Sequence, residues 1–432
     1  MNNLTNMESN KIGNYRWVIC ALLFFATTIN YIDRQVIGLL KPTLEEEFHW
    51  TEVDYSYIVM AFASMYSLGY IIFGGIVDKV GTKVGYAISV FVWSVASVLH
   101  AVVRTTLGFG VVRGLLGLSE SGNFPAAVKA VAEWFPKKER ALATGIFNSG
   151  TSIGAVVAPI IVPLVLGSYG WKEAFWITGS LGFIWLIFWF IFYEIPSRQK
   201  RLKKPEYDYI HSDVDAQETP VKIKWSRLLG LRQTWVFIVG KVMTDPIWWF
   251  FLFWLPGYFA DTFDLDLTKP SPQLAVVYAA TTFGSIGGGY LSSYLIKHGW
   301  PVLKARKRTL LIVAIAVTPI LFARYATNIW MAVVVISIAT AAHQAWSTNI
   351  FTIVSDIVPK KAVSSVVGIG GMAGSIASTL FPLIVGYLLA YYKTLGNISA
   401  GYNILFIICG TTYFAAWLII QLLTKKMKPI EL

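Results

Sequence analysis

The chain has 432 residues, of which 55% are hydrophobic, 15% aromatic and only 14% charged, and its mean hydropathy is +0.58. Because soluble domains carry about a quarter charged residues, this composition excludes the soluble globular class and predicts a polytopic membrane protein. Its two cysteines, Cys20 and Cys409, lie in apolar runs, so no disulfide framework, CxxC metal site or cofactor motif is predicted.

Twelve apolar runs are long enough to cross the membrane, since about 20 residues of helix span roughly 30 Å of hydrocarbon. We therefore expect an all-α polytopic membrane protein with twelve transmembrane helices in two six-helix bundles. The first run is too long for a signal peptide. Numbered as spans 1 to 12, the predicted runs are 17–40, 53–77, 83–102, 106–132, 141–166, 172–194, 234–260, 271–296, 308–324, 329–355, 362–391 and 402–424.

Span 1 carries two adjacent charges, Asp33 and Arg34, within the stretch ATTINYIDRQVI. Span 4 carries Arg113 and Glu120, which lie two helical turns apart and therefore on one face. A charge at mid-bilayer costs at least about 2.5–3.5 kcal/mol unless it is paired or faces water. We predict that these groups share a wet cavity, where an arginine binds a carboxylate and an acid takes up a proton. The alternative is a set of salt bridges that only orders the first six spans.

The connection between spans 2 and 3 reads GGIVDKVGTK and resembles the cytoplasmic loop signature of the major facilitator superfamily. Asp78 can pair across a closing gate, whereas Lys79 and Lys83 can meet lipid headgroups or acidic helix ends. We predict a conformational role for these three residues. The second half has Ser293 where an acid would be expected, so an ionic latch should be asymmetric.

The two halves of the chain are related in sequence. The segment EWFPKKERALATG at 133–145 returns as DIVPKKAVSSVVG at 356–368, and the same offset of 223 residues carries Pro159 onto Pro382. A repeat that preserves the order of six spans is typical of transporters with two parallel bundles and a cavity between them.

We predict an N-terminal six-helix bundle over 1–194, a cytoplasmic linker over 195–233 and a C-terminal six-helix bundle over 234–432. The linker is expected to be a solvated tether, with an amphipathic piece around VKIKWSRLLG on the inner leaflet. Lysines and arginines concentrate in the even-numbered connections and at both termini, which predicts that both termini are cytoplasmic. The net charge of +12 is thus a topology signal, and no nucleic-acid partner is expected.

Four motifs together resemble the anion:cation symporter family of the major facilitator superfamily, and most closely its bacterial hexuronate transporters. They are the Asp-Arg pair of span 1, the Arg and Glu of span 4 followed by GNFPAA, TDPIWWFFLFWLP in span 7 and HQAWSTNIF in span 10. The resemblance covers nearly the whole chain. It implies a non-enzymatic, monomeric carrier in the inner membrane that imports glucuronate or galacturonate with protons by alternating access.

The resemblance also implies roles for single residues. Asp33 and Glu120 would be proton-coupling sites, and Arg113 would meet the carboxylate of the substrate. Arg34 would be an ion-pair and gating residue.

By the same resemblance, Tyr66 and Trp346 line the sugar-acid pocket. Hydroxyl and amide groups nearby suit a polyhydroxylated acid, and an indole offers a flat face for a sugar ring. Relatives that carry galactonate have a glutamine in span 5 where this chain has Thr151, and an asparagine in span 11 where it has Gly, Ala and Ser375. Gln344 and Trp346 lie on different helical faces, so not every candidate can line the pocket. The further candidates are Asn148, Thr151, His343, Gln344, Ser347, Asn349 and Ser375.

The sequence allows more than one interpretation for several residues of spans 7 and 10. His343, which the repeat offset places opposite Glu120, is either a pocket residue or a hydrogen-bonded packing residue. Lys241 and Asp245, four apart in span 7, pair with each other or a neighbour, or contact the substrate. Trp248 and Trp249 are expected to pack, with an aromatic pair at the membrane interface as the alternative. The alternative function is a proton- or sodium-coupled carrier of another organic anion such as an aldonate, tartrate or phthalate.

Two other classes of membrane protein fit the sequence less well. A polytopic enzyme would usually carry a catalytic cluster in a large loop, and the longest connection here contains no metal spacing and no nucleophile arrangement. A channel or receptor would not need the duplicated turns between spans.

Overall fold

Long apolar helices make up most of the chain, and the described residues contain no β-strand. The computed structural model describes residues 12–50, 52–212, 225–265 and 271–424. Eleven of the described helices are long and apolar enough to cross a membrane. Spans 1 to 6 are Tyr15–Leu39, Glu52–Val80, Thr82–Leu99, Thr106–Glu120 with Asn123–Trp134, Lys137–Ser168 and Trp171–Phe192. Spans 7 to 12 are Arg232–Phe253 with Leu255–Phe263, Pro272–Lys297, Val302–Val317 with the 3₁₀ helix Thr318–Tyr325, Ile329–Ile357, Val363–Thr394 and Ile398–Thr424.

The all-α prediction is confirmed, and span 4 departs from the expected continuous helix. This span is divided into Thr106–Glu120 and Asn123–Trp134, and neither piece alone is long enough to cross the membrane. Pro125 lacks the N–H that would bond the carbonyl of Ser121, so the helical ladder is interrupted at this turn. Consequently Glu120 is the last residue of a helix, beside an irregular turn in the middle of the protein.

Three short helices lie outside the spans as we predicted them, at Lys41–Phe48, Lys204–Ile210 and Trp225–Leu229. The helix Lys204–Ile210 differs from the solvated tether expected for the linker, because it is docked against the start of span 1. The predicted amphipathic piece is described only from Trp225 onward, and residues 213–224 lie outside the described part of the chain.

Glu206 holds this linker helix in place. Its carboxylate, 2% exposed, accepts hydrogen bonds from the backbone N–H groups of Tyr15 at 3.1 Å and Arg16 at 3.0 Å. These are donors that the first turn of a helix leaves unpaired. The Arg16 guanidinium bonds both Glu206, at 3.1 Å, and Glu139 at the start of span 5, at 2.8 Å. We call Tyr15, Arg16, Glu139 and Glu206 the clasp.

The most extensive contacts between the two halves of the chain are those of span 2 with span 11 and of span 5 with span 8. A Cβ at Gly368 of span 11 would lie 2.4 Å from the carbonyl oxygen of Tyr70, and one at Gly145 of span 5 would lie 2.4 Å from that of Ser285. The two glycines are 223 residues apart, which is the offset of the sequence repeat. Equivalent glycines thus allow the backbones to touch at both seams.

Candidate substrate-binding and coupling site

A central cavity lies between the two halves, with about 600 Å³ of space between its walls, including space open to solvent. Both halves contribute polar, charged and aromatic side chains to it. The first half contributes Tyr31, Arg34, Tyr66, Tyr70, Phe124, Asn148 and Thr151. The second half contributes Lys241, Asp245, Trp248, Trp249, His343, Gln344, Ser347, Phe351, Gly371, Ser375 and Ser378.

Arg34 is the cation of the first wall, and its partner is Glu120. Its Nε and Nη2 atoms both lie 3.0 Å from Glu120 Oε2. The guanidinium also lies over the rings of Tyr31 and Tyr66, with 4.6 Å to each centroid. Glu120 is fully buried, whereas 21% of the surface of the Arg34 side chain is exposed. The ion pair therefore joins span 1 to span 4 and presents only its cation to the cavity.

Arg113 lies one layer behind this pair. Its Nη2 donates to the backbone carbonyl of Arg34 at 2.6 Å, and its guanidinium lies 4.7 Å from the ring of Phe62. Among the described residues, Arg113 Nε and Nη1 and Glu120 Oε1 are buried and have no hydrogen-bond partner. Arg113 and Glu120 thus converge on Arg34 and have hydrogen-bonding capacity left over.

Asp33 does not line the cavity. It is 1% exposed, and its Oδ1 accepts a hydrogen bond from Ser97 of span 3 at 3.0 Å. Consecutive residues of a helix point about 100° apart. Arg34 consequently faces the cavity, while its neighbour bonds span 3.

Lys241 and Asp245 form the ion pair of the second wall, with Lys241 Nζ 2.8 Å from Asp245 Oδ2. Both residues belong to span 7, as the four-residue spacing suggested. Lys241 also lies 4.6 Å from the ring of Phe351. A Cβ at Gly374 of span 11 would lie 2.6 Å from Asp245 Oδ2, so this glycine leaves the room that the carboxylate occupies.

His343 lines the cavity and is also hydrogen-bonded, so both readings of it apply. Its Nδ1 lies 2.5 Å from the hydroxyl of Tyr413, and its ring stacks on Trp248 with centroids 5.2 Å apart. Trp248 and Trp249 were expected to pack or to form an aromatic pair at the membrane interface, yet both line the cavity. Their adjacent positions in sequence gave no sign of which face would be open.

Asn148 connects the two halves at the wall of the cavity. Its Nδ2 donates to Gln344 Oε1 and to Ser285 Oγ, both at 3.0 Å. Ser375 makes a second cross-link, 2.7 Å from the hydroxyl of Ser67. Thr151 and Tyr66 line the wall between these contacts.

Trp346, predicted to line the pocket, lies outside it. It is 0% exposed, its Nε1 donates to the carbonyl of Gly240 at 3.4 Å, and its ring packs on Tyr413. Gln344 precedes it by two residues, which is about 200° of helical rotation, and therefore faces the other way. Of these two residues, only Gln344 lines the cavity.

One end of the molecule carries the connections after spans 2, 4, 8 and 10, and we call it the basic end. Contacts between the two halves close this end. Asp78 pairs with Lys129 at 2.8 Å, and its second oxygen accepts the backbone N–H of Ser365 at 2.7 Å. At the other seam Ser293 Oγ accepts the N–H of Leu142 at 3.3 Å. Leu142 precedes Ser365 by the repeat offset of 223 residues, so the two backbone N–H groups are equivalent. The bond that Ser293 accepts is the weaker of the two, because its acceptor is uncharged and the distance is longer.

The two lysines of the GGIVDKVGTK motif do not join the halves. Lys83 pairs with Glu194 at 2.8 Å within the first half. Lys79 is exposed.

A second ionic cluster, which the sequence reasoning missed, also joins the halves at the basic end. Asp356 of span 10 lies 3.2 Å from Arg140 of span 5 and 2.9 Å from Arg306 of span 9. Arg306 Nη2 donates to the carbonyl of Lys137 at 2.7 Å. The sequence did offer one sign of this cluster. Asp356 begins the repeated turn and directly follows an apolar run, where a charged residue calls for a partner.

Comparison with known proteins assigns the family. The model of the Major Facilitator Superfamily matches residues 23–382. The hexuronate transporter of Escherichia coli (strain K12) is 34% identical over 382 residues, which is 88% of each chain. The galacturonate transporter of Dickeya chrysanthemi is 34% identical over 292 residues, 67% of this chain and 84% of that one.

Among solved structures, the human organic anion transporter MFSD10 (TETRAN) superposes with a TM-score of 0.69 at 15% identity, covering 95% of this chain and 100% of that one. At this identity the likeness bears on the fold alone. The helical architecture, the central cavity and the family match agree: the chain is a multi-pass membrane transporter and belongs to the major facilitator superfamily.

Proposed function

We propose that this transporter imports hexuronates such as glucuronate and galacturonate together with protons. The observation that carries the proposal is the Arg34–Glu120 pair at the wall of a cavity between two related halves. An arginine binds a carboxylate through two parallel hydrogen bonds, and a buried carboxylate beside it can hold a proton instead. The relatives named as hexuronate and galacturonate transporters support a sugar acid as the anion.

The cavity wall suits a polyhydroxylated anion. Tyr66, Asn148, Gln344 and Ser375 supply donors and acceptors for hydroxyl groups. Trp248 supplies an indole against which a sugar ring can lie. Such a mixture of a few placed polar groups with aromatic surface is typical of small-molecule sites.

Coupling follows from the competition for Arg34. While Glu120 is ionised, it occupies both Nε and Nη2 of this arginine. Protonation of Glu120 removes the competing charge, and Arg34 can then bind the substrate carboxylate. Arg113, whose Nε and Nη1 have no hydrogen-bond partner in the described part of the chain, assists by binding the anion or the displaced carboxyl group. Asp33 is the second proton site of this scheme.

The transport cycle alternates between two arrangements of the six-span halves, 1–194 and 234–432, which move as bodies about the cavity. We place the basic end and both termini in the cytoplasm of a bacterium, in its inner membrane, because the cationic connections lie there. In this orientation the contacts of Asp78 and Asp356 close the cytoplasmic side. Asp78 belongs to this gate, whereas Lys79 and Lys83, which were predicted to share its role, make no contact between the halves among the described residues; a single chain suffices for transport.

Uptake of labelled galacturonate into proteoliposomes tests the proposal. We expect accumulation above equilibrium when an inward proton gradient is imposed in sodium-free buffer. Glucuronate should compete with the label, whereas tartrate and phthalate should not. Accumulation that requires sodium would refute proton coupling, and preferential competition by an aldonate, tartrate or phthalate would refute hexuronates as substrates.

A further inference from the structure

We infer that the Lys241–Asp245 pair makes the cavity select sugar acids with one carboxylate over those with two. The inference rests on the proposed function and concerns the second wall of the same cavity. Asp245 neutralises a cation that would otherwise bind the second carboxylate of a hexaric acid. It is thus a residue that determines specificity by exclusion.

The geometry shows that Lys241 is occupied. Its ammonium lies 2.8 Å from Asp245 Oδ2, and both side chains line the cavity. The carboxylate is the more accessible partner, with 20% of its side chain exposed against 9% for the lysine. A second anionic group that approaches this wall therefore meets the carboxylate of Asp245 first.

The two walls hold their cations in different ways. The Arg34–Glu120 bond joins spans 1 and 4, so a proton on Glu120 or a movement of either span can release the arginine. The Lys241–Asp245 bond lies within span 7, and four-residue spacing keeps both groups on one helical face. Movement of whole spans leaves this pair intact, so its cation stays neutralised through the cycle.

Charge balance then distinguishes the two substrate classes. A sugar acid with one carboxylate needs one released cation, and Arg34 is that cation. An acid with two carboxylates brings a second negative charge into a low-dielectric space where Lys241 is already paired. Like charges brought together in such a space repel strongly. Binding of the diacid is therefore weakened unless Asp245 loses its charge.

The test compares ligands that differ in one carboxylate. Galactonate and galactarate are open-chain acids of the same stereochemistry, and galactarate has a carboxylate where galactonate has a hydroxymethyl group. Affinity is measured as thermal stabilisation of the purified protein in detergent and as inhibition of galacturonate counterflow. The variants are Asp245→Asn, which preserves shape, Lys241→Gln, and the double variant. Glu45→Gln, in the four-residue pair Lys41–Glu45 outside the cavity, is the matched control.

In the unaltered protein, galactarate should bind more weakly than galactonate. Asp245→Asn should raise the affinity for galactarate relative to galactonate at least about tenfold, which corresponds to ~1.4 kcal/mol. The double variant should not show this gain, because it lacks the released lysine, and Glu45→Gln should behave like the unaltered protein.

Equal affinity for both acids in the unaltered protein would overturn the inference. So would an unchanged ratio in Asp245→Asn, or an equal gain in the double variant. If galacturonate counterflow proceeds normally in these cases, the proposed function stands and only the role of Asp245 fails. Absence of binding and counterflow with every acid would instead refute the proposed function.

Discussion

Arg34 binds Glu120 through two nitrogen atoms, Nε and Nη2, that lie 3.0 Å from the same carboxylate oxygen, Oε2. The other oxygen, Oε1, is buried and has no hydrogen bond among the described residues. Burying a charged oxygen without a hydrogen bond is costly, and protonation of the carboxyl group would remove its charge. We therefore expect the pair to exchange between an ionic and a protonated form during transport.

Glu120→Gln should abolish gradient-driven accumulation of galacturonate and preserve exchange. The amide mimics the protonated carboxyl group, so the substrate still binds but no proton is carried. Accumulation and counterflow are measured in the same proteoliposomes. Glu133→Gln is the control, because Glu133 is a glutamate of the same span that accepts hydrogen bonds from Thr82 and Tyr193 away from the cavity. Survival of accumulation in Glu120→Gln would show that this residue is not an essential coupling group.

Arg113→Gln should weaken galacturonate binding while the protein still inserts and folds. Loss of a hydrogen bond to a charged group is worth about 1.5–3 kcal/mol, or roughly ten- to a hundredfold in affinity. Binding is measured by thermal stabilisation in detergent. Arg104→Gln, which removes a cation stacked near Trp171 outside the cavity, should leave affinity unchanged. Normal affinity in Arg113→Gln would exclude a docking role for Arg113.

Gly368→Ala should hold the basic end open. The added methyl group would lie 2.4 Å from the Tyr70 carbonyl only while spans 2 and 11 touch, so it destabilises that state selectively. Overpacking of this kind costs about 1–3 kcal/mol, enough to shift a two-state population roughly five- to 150-fold. Distances between spin labels at the basic end report the shift. Gly110→Ala, whose methyl group meets no atom within 4 Å, should transport normally, and unchanged distances in Gly368→Ala would contradict the prediction.

Glu206→Ala should destabilise the folded protein by about 3 kcal/mol, since it leaves the buried Arg16 guanidinium with one partner fewer. The measurement is the thermal unfolding of the purified protein. Glu194→Gln breaks the half-exposed pair with Lys83 and should cost at most about 1 kcal/mol. Equal effects of the two substitutions would mean that the clasp does not stabilise the fold.

The pH dependence of the Glu194 contribution has a defined sign. A hydrogen bond from Lys83 lowers the pKa of this carboxyl group from its usual value of 4.5. The small stabilisation is therefore present above pH 4.5 and is lost as the pH falls through the lowered pKa. The difference in unfolding temperature between Glu194→Gln and the unaltered protein should accordingly vanish in acid. A difference that persists there would have another cause.

Hydropathy was enough to predict the fold. Each of the twelve predicted runs corresponds to a helix or a pair of helices, because an apolar run of this length has one solution in a bilayer. The break in span 4 was missed because membrane helices tolerate glycine and proline, so Gly122 and Pro125 do not by themselves end a predicted span. The docked helix Lys204–Ile210 was missed because its polar composition hides the contact of Glu206 with span 1.

The site was less predictable in detail. Charges in apolar spans drew attention to Arg34 and Glu120, since an isolated buried charge demands a partner, and the structure pairs these two residues with each other. Helical rotation separated Gln344 from Trp346, but only the packed structure shows that Gln344 reaches the cavity. Trp248 gave no signal at all, because an aromatic residue in a span reads the same whether it faces lipid, a neighbouring helix or a cavity.

In the proposed proton-coupled cycle, the charged groups in and behind the cavity walls determine how the transporter responds to membrane voltage. Three acids and three bases of spans 1, 4 and 7 sum to zero when all are ionised: Asp33, Glu120, Asp245, Arg34, Arg113 and Lys241. The empty form then crosses without moving charge. A carrier loaded with a singly charged anion and one proton also moves no net charge. Each additional proton moves one charge through the membrane field, which is worth about 2.3 kcal/mol per 100 mV. The electrical current per sugar acid therefore reveals the number of protons carried.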